Sequence, residues 1–489
     1  MKRPNILVIY TDQQRWDAVG ANGNPDIKTP NIDRLAHEGV NFDKFFVQNQ
    51  LCMPSRISFF TGQYPSTLKI THMGVPVPQD TVTLPKMLGT HGYHCANIGK
   101  LHFLPHANRD HRELHPSYGF DELEVAEEPG PYEDAYRAWV ARKRPRQLDL
   151  ISAGMPPNAK VWNQTLGIKD RVNHPVIEPE VPTAYKVHEG GTRFAFLKGV
   201  PFPADEDVSF SAFVSEQVCD YLERRDKSRP FFCVAGFYSP HAPWIVPQRF
   251  LDLYDPDQLS IPKFPKNIDD QRPVDGTKDE LFSNDQLRMA RQGYYAAVSE
   301  VDHYVGKLLD KLDQLDLTRD TIVVFTSDHG EWLGEQLLYG KSYPAHDGIT
   351  RVPLIVRVPG NAAGKVHSEI VEAVDILPTL LEAAGIQVPP FVQGHSLWSI
   401  LSHGNGSSYK PRTSALTEYT GWRMVRTDRY RYIAHADGRE KLFDLHNELG
   451  EYLDVAQEAE YAELLTMARH ELVMRVISAE CPYSKSWTY

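Results

Sequence analysis

The sequence NILVIYTDQ, residues 5–13, contains an uninterrupted apolar run from Ile6 to Tyr10 and then an acid, Asp12. A second run of the same kind, TIVVFTSDHGE at 321–331, leads to Asp328 and His329. Continuous apolar runs of this length are typical of strands buried on both faces of a parallel sheet. Because open α/β sheets bind ligands at the carboxyl ends of their strands, these polar residues predict a functional site at that edge.

Helical patterns separate the strand-like runs and indicate a large, mostly parallel sheet flanked by helices. The clearest are NIDRLAHEGV (31–40), VSEQVCDYLERR (214–225) and RQGYYAAVSEVDHYVGKLLDKLDQL (291–315). Near the end of the chain, WRMVRTDRYRYIAH (422–435) and EKLFDLH (440–446) predict a small antiparallel sheet. We therefore expect an α/β catalytic domain over 1–395, with irregular insertions at about 129–203 and 256–278, and a C-terminal α+β subdomain over 396–489.

Composition excludes several classes of protein. The formal charge of −12 on 489 residues argues against broad nucleic-acid affinity, and the apolar runs fall short of a membrane span. Asp12 interrupts the N-terminal apolar run too early for a secretion signal, so we expect a cytoplasmic protein that uses neither nucleic acid nor membrane. The five cysteines are scattered without a C-x-x-C pair, which argues against a disulfide framework and a thiolate zinc site.

Cys52 lies in the stretch LCMPSRISFFTGQYP, residues 51–65. It could be a small buried apolar residue, or a reactive thiolate whose pKa is lowered by Arg56. A cysteine-phosphatase loop needs an arginine six positions after the cysteine, where this chain has Ser58. That class of enzyme is excluded.

The segment CMPSRISFFTG resembles the sulfatase family of the alkaline phosphatase superfamily, in which this cysteine is oxidised to formylglycine. Five further segments match family motifs in the expected order, from Asn5 to about Pro359. The pairs Asp12-Gln13 and Asp328-His329 look most like the choline sulfatase and phosphonate monoester hydrolase branches. The resemblance implies one divalent metal, with calcium as first choice and manganese or magnesium as alternatives. Its implied ligands are Asp12, Gln13, Cys52, Asp328 and His329.

The resemblance also implies the residues that act on the substrate. Lys100 in GKLHF would bridge nucleophile and sulfate, and His102 would lie beside the formylglycine. His241 in SPHAPW would protonate the leaving alcohol, and Lys341 in GKSYP would contact sulfate or the leaving oxygen. Arg56 would hold the nucleophile in place. Because Lys100 and His102 alternate along what reads as an extended segment, we expect both side chains on one face.

By the same resemblance, the activity is hydrolysis of a sulfate monoester of an aryl alcohol, a carbohydrate or choline, with release of inorganic sulfate. One hydroxyl of the hydrated formylglycine would attack sulfur and the other would then expel sulfate, a two-step route that splits one difficult reaction. The first alternative is a phosphonate monoester or phosphodiester hydrolase with the same site, although that branch tends to lose the lysine at Lys100. The second is a non-catalytic binding module.

The implied partners are a small anionic sulfate ester and an enzyme that matures Cys52. Self-association into a homo-oligomer is a further expectation. The aromatic residues Tyr132, Trp139, Trp162 and Tyr185 of the insertion would suit a cationic alcohol or ordinary packing equally well. The sequence assigns no role to His72, His346 or Asp347.

Overall fold

A computed structural model describes residues 3–105, 111–151, 197–266, 283–342, 345–361, 364–403 and 409–480. The strands are β1 Asn5–Asp12, β2 Val40–Phe42, β3 Phe45–Phe46, β4 His94–Gly99, β5 Glu122–Val125, β6 Val200–Pro201, β7 Phe231–Pro240, β8 Ile245–Val246, β9 Thr321–Ser327, β10 Leu354–Arg357, β11 Lys365–His367, β12 Val371–Glu372, β13 Ala415–Tyr419, β14 Trp422–Arg426, β15 Tyr430–His435 and β16 Glu440–Asp444. The α-helices are α1 Pro30–Glu38, α2 Cys52–Thr61, α3 Pro65–Leu68, α4 Leu84–Thr90, α5 Ala135–Lys143, α6 Phe210–Arg224, α7 Gln248–Leu251, α8 Asn284–Gln314, α9 Asp347–Thr350, α10 Ile376–Ala383, α11 Trp398–His403 and α12 Ala462–Ala479.

The large sheet has eight strands in the order β11-β2-β10-β9-β1-β7-β4-β5. The five strands from β9 to β5 are parallel, whereas β10 runs antiparallel to both of its neighbours. In the centre, β1 pairs with β7 on one side and with β9 on the other. The carboxyl ends of β1 and β9 therefore lie side by side, as the two apolar runs predict.

Helices cover both faces of this sheet, so the fold is a three-layer sandwich. Along β1, Ile6 and Val8 belong to an apolar cluster that includes Phe59 and Phe60 of α2. The intervening Leu7 and Ile9 belong to a second cluster, which contains the apolar faces of α6 and α8. This alternation follows from the two-residue period of a strand, and it buries β1 completely. The predicted fold class is confirmed.

One helix lies within a stretch that the sequence indicated to be irregular. Asp134 caps α5 by accepting a hydrogen bond from the backbone N–H of Arg137, at 3.1 Å. Tyr136 and Trp139 of this helix pack with α6 in the second apolar cluster. Packing thus accounts for Trp139, whereas Trp162 and Tyr185 lie outside the described residues.

The predicted antiparallel sheet near the C-terminus is formed by β13 to β16 in sequential order. Helix α12 packs on it through Leu464, Leu465, Ala468 and Leu472. The division of the chain near residue 395 stays a prediction. Within the described part of the chain, every helix is too short or too polar to cross a bilayer.

Candidate active site

The ends of β1 and β9 bring two carboxylates and an imidazole together beneath Cys52. His329 Nε2 lies 3.6 Å from Asp12 Oδ1 and 3.7 Å from Asp328 Oδ1. The Nδ1–H of His329 donates to the carbonyl oxygen of Gly330 at 2.9 Å, which leaves the lone pair on Nε2 facing the carboxylates. Burial lowers the pKa of His329, so the imidazole is held neutral, the form that binds metals.

Cys52 is the first residue of α2, a helix whose ten residues are all buried. Its Sγ lies 3.1 Å from His329 Nε2 and accepts a hydrogen bond from Lys341 Nζ at 2.8 Å. Burial, reinforced by Asp12, raises the pKa of the thiol to about 11. The thiol therefore keeps its proton at neutral pH, and the interpretation as a thiolate activated by Arg56 is wrong.

Arg56 and Lys100 are buried cations that hold the two carboxylates. Arg56 Nε donates to Asp328 Oδ2 at 2.7 Å, and Lys100 Nζ lies 2.7 Å from Asp12 Oδ2. Burial alone would raise the pKa of Asp12, but Lys100 and the other nearby cations outweigh it and hold the pKa well below the usual range. Asp12 and Lys100 are therefore both ionised at neutral pH.

His241 faces the same group from the loop that follows β7. Its Nδ1–H donates to the carbonyl oxygen of Ala242 at 2.6 Å, and its Nε2 accepts from Lys341 Nζ at 3.2 Å. The Tyr238 hydroxyl, 2.9 Å from His241 Nδ1, donates to the same carbonyl oxygen at 2.7 Å. Burial and Lys341 lower the pKa of His241 well below its ordinary value.

The donor set fits a divalent metal. Asp12, Cys52, Asp328 and His329 each offer one ligand atom, and these atoms lie within 4.8 Å of one another. The Oε1 atom of Gln13 is buried without a hydrogen-bond partner, as expected for an amide oxygen reserved for a cation. Oxygen ligands suit calcium and magnesium, and one imidazole extends the range to manganese.

His102 differs from the sequence-based expectation. Strand β4 ends at Gly99, and His102 has a left-handed backbone with φ of +58°, so the extended alternation with Lys100 is wrong. The backbone N–H of His102 donates to Glu127 Oε1 at 3.1 Å, and its side chain is buried. The described contacts thus join Cys52, Lys100, His241 and Lys341 in one group, and tie His102 to Glu127.

Three residues without a predicted role lie toward the C-terminal sheet. Asp347 forms an ion pair with Arg426 at 2.8 Å, and His346 contacts Glu451. His72 is exposed beside Thr420. Glu335, His346 and Glu451 form a second cluster of ligand-type side chains, but Arg15 pairs with Glu335 at 2.7 Å and Arg431 with Glu451 at 3.5 Å. This cluster is a charge network between the two sheets.

Sequence reasoning missed Tyr238 and Glu331. Tyr238 contacts two predicted site residues. Its hydroxyl lies 2.9 Å from His241 Nδ1, and the Lys100 ammonium lies 4.8 Å from the centre of its ring. Glu331 accepts a hydrogen bond from the Gln13 side chain. Each lies within three residues of a motif histidine, and that proximity is the signal that could have singled them out.

Known protein families match most of the chain. The family model described as "Sulfatase" matches residues 4–386, and one described as "N-sulphoglucosamine sulphohydrolase, C-terminal" matches 334–477. The chain is 28% identical to an arylsulfatase of Clostridium perfringens, with 99% of this chain and 96% of the relative covered. It is 27% identical to a choline-sulfatase of Rhizobium meliloti, with 93% and 83% covered.

Among solved structures, the phosphonate monoester hydrolase of Agrobacterium radiobacter superposes with a TM-score of 0.76. The two chains are 24% identical, and the superposition covers 98% of this chain and 96% of the other. This likeness confirms the fold. Since the sulfatase model matches well over half of the sequence, the chain belongs to the sulfatase family and thus to the alkaline phosphatase superfamily.

Proposed function

We propose that this chain is a sulfuric ester hydrolase that cleaves a sulfate monoester to an alcohol and inorganic sulfate. The observation that carries the proposal is the placement of Lys341 Nζ, 2.8 Å from Cys52 Sγ and 3.2 Å from His241 Nε2. An ammonium group between the nucleophile position and a proton donor suits an anionic ester that gains negative charge on its leaving oxygen. Lys100 and Arg56 add two more buried cations to the same site.

The site is proposed to act with formylglycine made from Cys52 and with one divalent metal, calcium first and manganese or magnesium as alternatives. Asp12, Gln13, Asp328 and His329 would hold the metal, together with the modified side chain at position 52. The metal would supply Lewis acidity and charge neutralisation, and hydrated formylglycine would supply a nucleophilic hydroxyl. The pKa of about 11 for the Cys52 thiol supports a precursor that is inert until it is modified.

The remaining residues bind the sulfate group and move protons. Lys341 and Lys100 would neutralise the sulfate oxygens, and Arg56 would keep Asp328 fixed beside the nucleophile. An anionic ester beside His241 would favour its protonation, so that Nε2 can deliver a proton to the leaving alcohol. His102 is proposed to take up the proton released when sulfate leaves.

The alternative is a phosphonate monoester or phosphodiester hydrolase that uses the same residues. The structural likeness to a phosphonate monoester hydrolase favours it, whereas Lys100, placed against Asp12 at 2.7 Å, favours sulfate. The test is turnover of an aryl sulfate and an aryl phosphonate by the mature full-length enzyme. We expect a higher kcat/KM for the sulfate, and a many-fold preference for the phosphonate would overturn the proposal.

Mass spectrometry of the peptide around Cys52 tests the nucleophile directly. Conversion of cysteine to formylglycine lowers the mass by about 18 Da. Active protein that carries unmodified Cys52 would contradict the proposed chemistry. An aryl, carbohydrate or choline sulfate as substrate, a maturation enzyme, a cytoplasmic location and self-association stay predictions.

A further inference from the structure

Glu331 is a buried carboxylate, 1% exposed, two residues after His329. It accepts hydrogen bonds from three donors that belong to two different parts of the site. Oε2 accepts from the Gln13 side-chain amide, and Oε1 accepts from the backbone N–H groups of Leu333, at 3.1 Å, and Gly340. Each carboxylate oxygen thus holds a separate segment.

The first segment carries a proposed metal ligand. The Gln13 backbone is fixed, because its N–H donates to Asp328 Oδ1 at 3.1 Å and its carbonyl oxygen accepts from the Tyr294 hydroxyl at 2.7 Å. An amide has a donor end and an acceptor end, so binding Nε2 to Glu331 turns Oε1 away from it. Glu331 therefore selects the orientation in which Oε1 is available to a cation.

The second segment carries the lysine that contacts Cys52. The carbonyl oxygen of Gly340 accepts from the backbone N–H of Trp332 at 2.9 Å. The carbonyl oxygen of Ser342 accepts from Trp332 Nε1 at 3.0 Å. Glu331 and Trp332 therefore hold the backbone on both sides of Lys341 and set the direction in which its ammonium group extends.

We propose that Glu331 is a positioning residue that joins the metal site to the sulfate-binding lysine. The proposal rests on the proposed function, because it assigns roles to Gln13 and Lys341 in that site. A carboxylate is required since all three neighbouring groups are donors. A glutamine side chain has only one acceptor oxygen, and its NH2 group would face either the Gln13 amide or the two backbone N–H groups.

The test compares Glu331→Gln with a matched control, Glu300→Gln. Glu300 is 3% exposed and accepts from the Ser209 hydroxyl at 2.8 Å, and its described hydrogen bonds involve neither Gln13 nor the segment around Lys341. Calcium and manganese ions are titrated calorimetrically into the metal-free full-length protein, and kcat and KM are measured on mature enzyme at saturating metal. We expect Glu331→Gln to weaken metal binding by about 10- to 100-fold, the range seen when groups that orient metal ligands are removed. We also expect a lower kcat with the metal site saturated, and a Glu300→Gln variant that matches wild type.

A double-mutant cycle with Gln13→Met, a substitution that removes both amide atoms, tests whether Glu331 affects metal binding through Gln13. If Glu331 acts on the metal through Gln13, the second substitution adds little further loss of affinity to the first. Metal affinity of Glu331→Gln within twofold of wild type, additive losses in the cycle, or an equal loss in Glu300→Gln would each overturn the proposal. If Glu331→Gln does not fold, Glu331→Asp, which keeps the charge but retracts it by one methylene, takes its place in the same cycle. Wild-type protein that binds neither ion would instead refute the proposed metal site.

Discussion

The two lysines of the site should differ strongly in their effect on stability when each is replaced by methionine, which keeps most of the length of the side chain and removes the charge. Lys100 Nζ lies 2.7 Å from a buried carboxylate oxygen of Asp12, whereas the described contacts of Lys341 Nζ are with a thiol and two imidazoles. Lys100→Met thus leaves a buried carboxylate without its nearest cation. Lys341→Met leaves only a neutral thiol and two neutral imidazoles at the position of the lost ammonium group.

The expected magnitudes follow from these contacts. Coulomb attraction over 2.7 Å amounts to about 6 kcal/mol at an effective dielectric constant near 20. Breaking a buried ion pair by removing one partner costs about 3–5 kcal/mol. Because Arg56 Nη2 lies 3.5 Å from the same Asp12 oxygen and compensates in part, we expect Lys100→Met to lose about 3 kcal/mol. For Lys341→Met we expect a change of less than about 1 kcal/mol, because no charge is left unpaired.

The assay is denaturant unfolding of the unmodified, metal-free chain, followed by the shift of the midpoint. Activity of the mature variants is measured in parallel, and both should lose kcat by about 10²- to 10³-fold, the usual effect of removing one group that stabilises charge in a transition state. Equal destabilisation by the two substitutions would refute the reasoning, since the two lysines would then contribute to stability independently of what they contact.

Three further predictions concern His241, Cys52 and acid stability. Tyr238→Phe removes the hydroxyl beside His241 Nδ1 and should lower kcat about tenfold and shift the pH profile, whereas Tyr254→Phe, whose hydroxyl contacts Ser299, should leave both unchanged. Cys52, 1% exposed with a pKa of about 11, should react with iodoacetamide at pH 8 about 100-fold more slowly in folded than in unfolded chain, and equal rates would contradict its burial. Because the folded-state pKa of His241 lies below its unfolded value, the unfolded chain takes up the proton first, so stability should fall as the pH drops below about 6.5. His241→Gln should reduce that slope, and an unchanged slope would show that other groups produce it.

The strands and the polar residues at their ends could be predicted because their signals are local and strong. Buried parallel strands require continuous apolar runs, so β1 and β9 are visible in the sequence, and the residues that follow them must lie at one edge. The antiparallel sheet was visible through short strand-like segments that correspond to β14, β15 and β16, whereas β13 lies outside the predicted segments. Helix α5 was missed because prolines, aromatics and charges surround its nine residues, and its apolar face is defined only by packing on α6.

The finer arrangement of the site depends on backbone geometry that residue types do not specify. Gln13 and His102 both have left-handed backbones, with φ of +69° and +58°, and nothing in their side chains requires that conformation. Residues that act through another residue are equally hidden. Glu331 and Tyr238 were missed because their importance comes from what they contact, and those contacts join segments that are hundreds of positions apart, such as Gln13 and Glu331.

The burial of α2 has a consequence for the order of events in the cell. Cys52 is 1% exposed and begins a helix without an exposed residue, so under the proposed function a maturation enzyme must reach it before this part of the chain has folded. Folding and modification would then compete for the same newly made chain. A molecule that folds before modification would stay inactive. The active fraction of a preparation would then be fixed during synthesis, and later incubation of the folded protein with the maturation enzyme would not raise it.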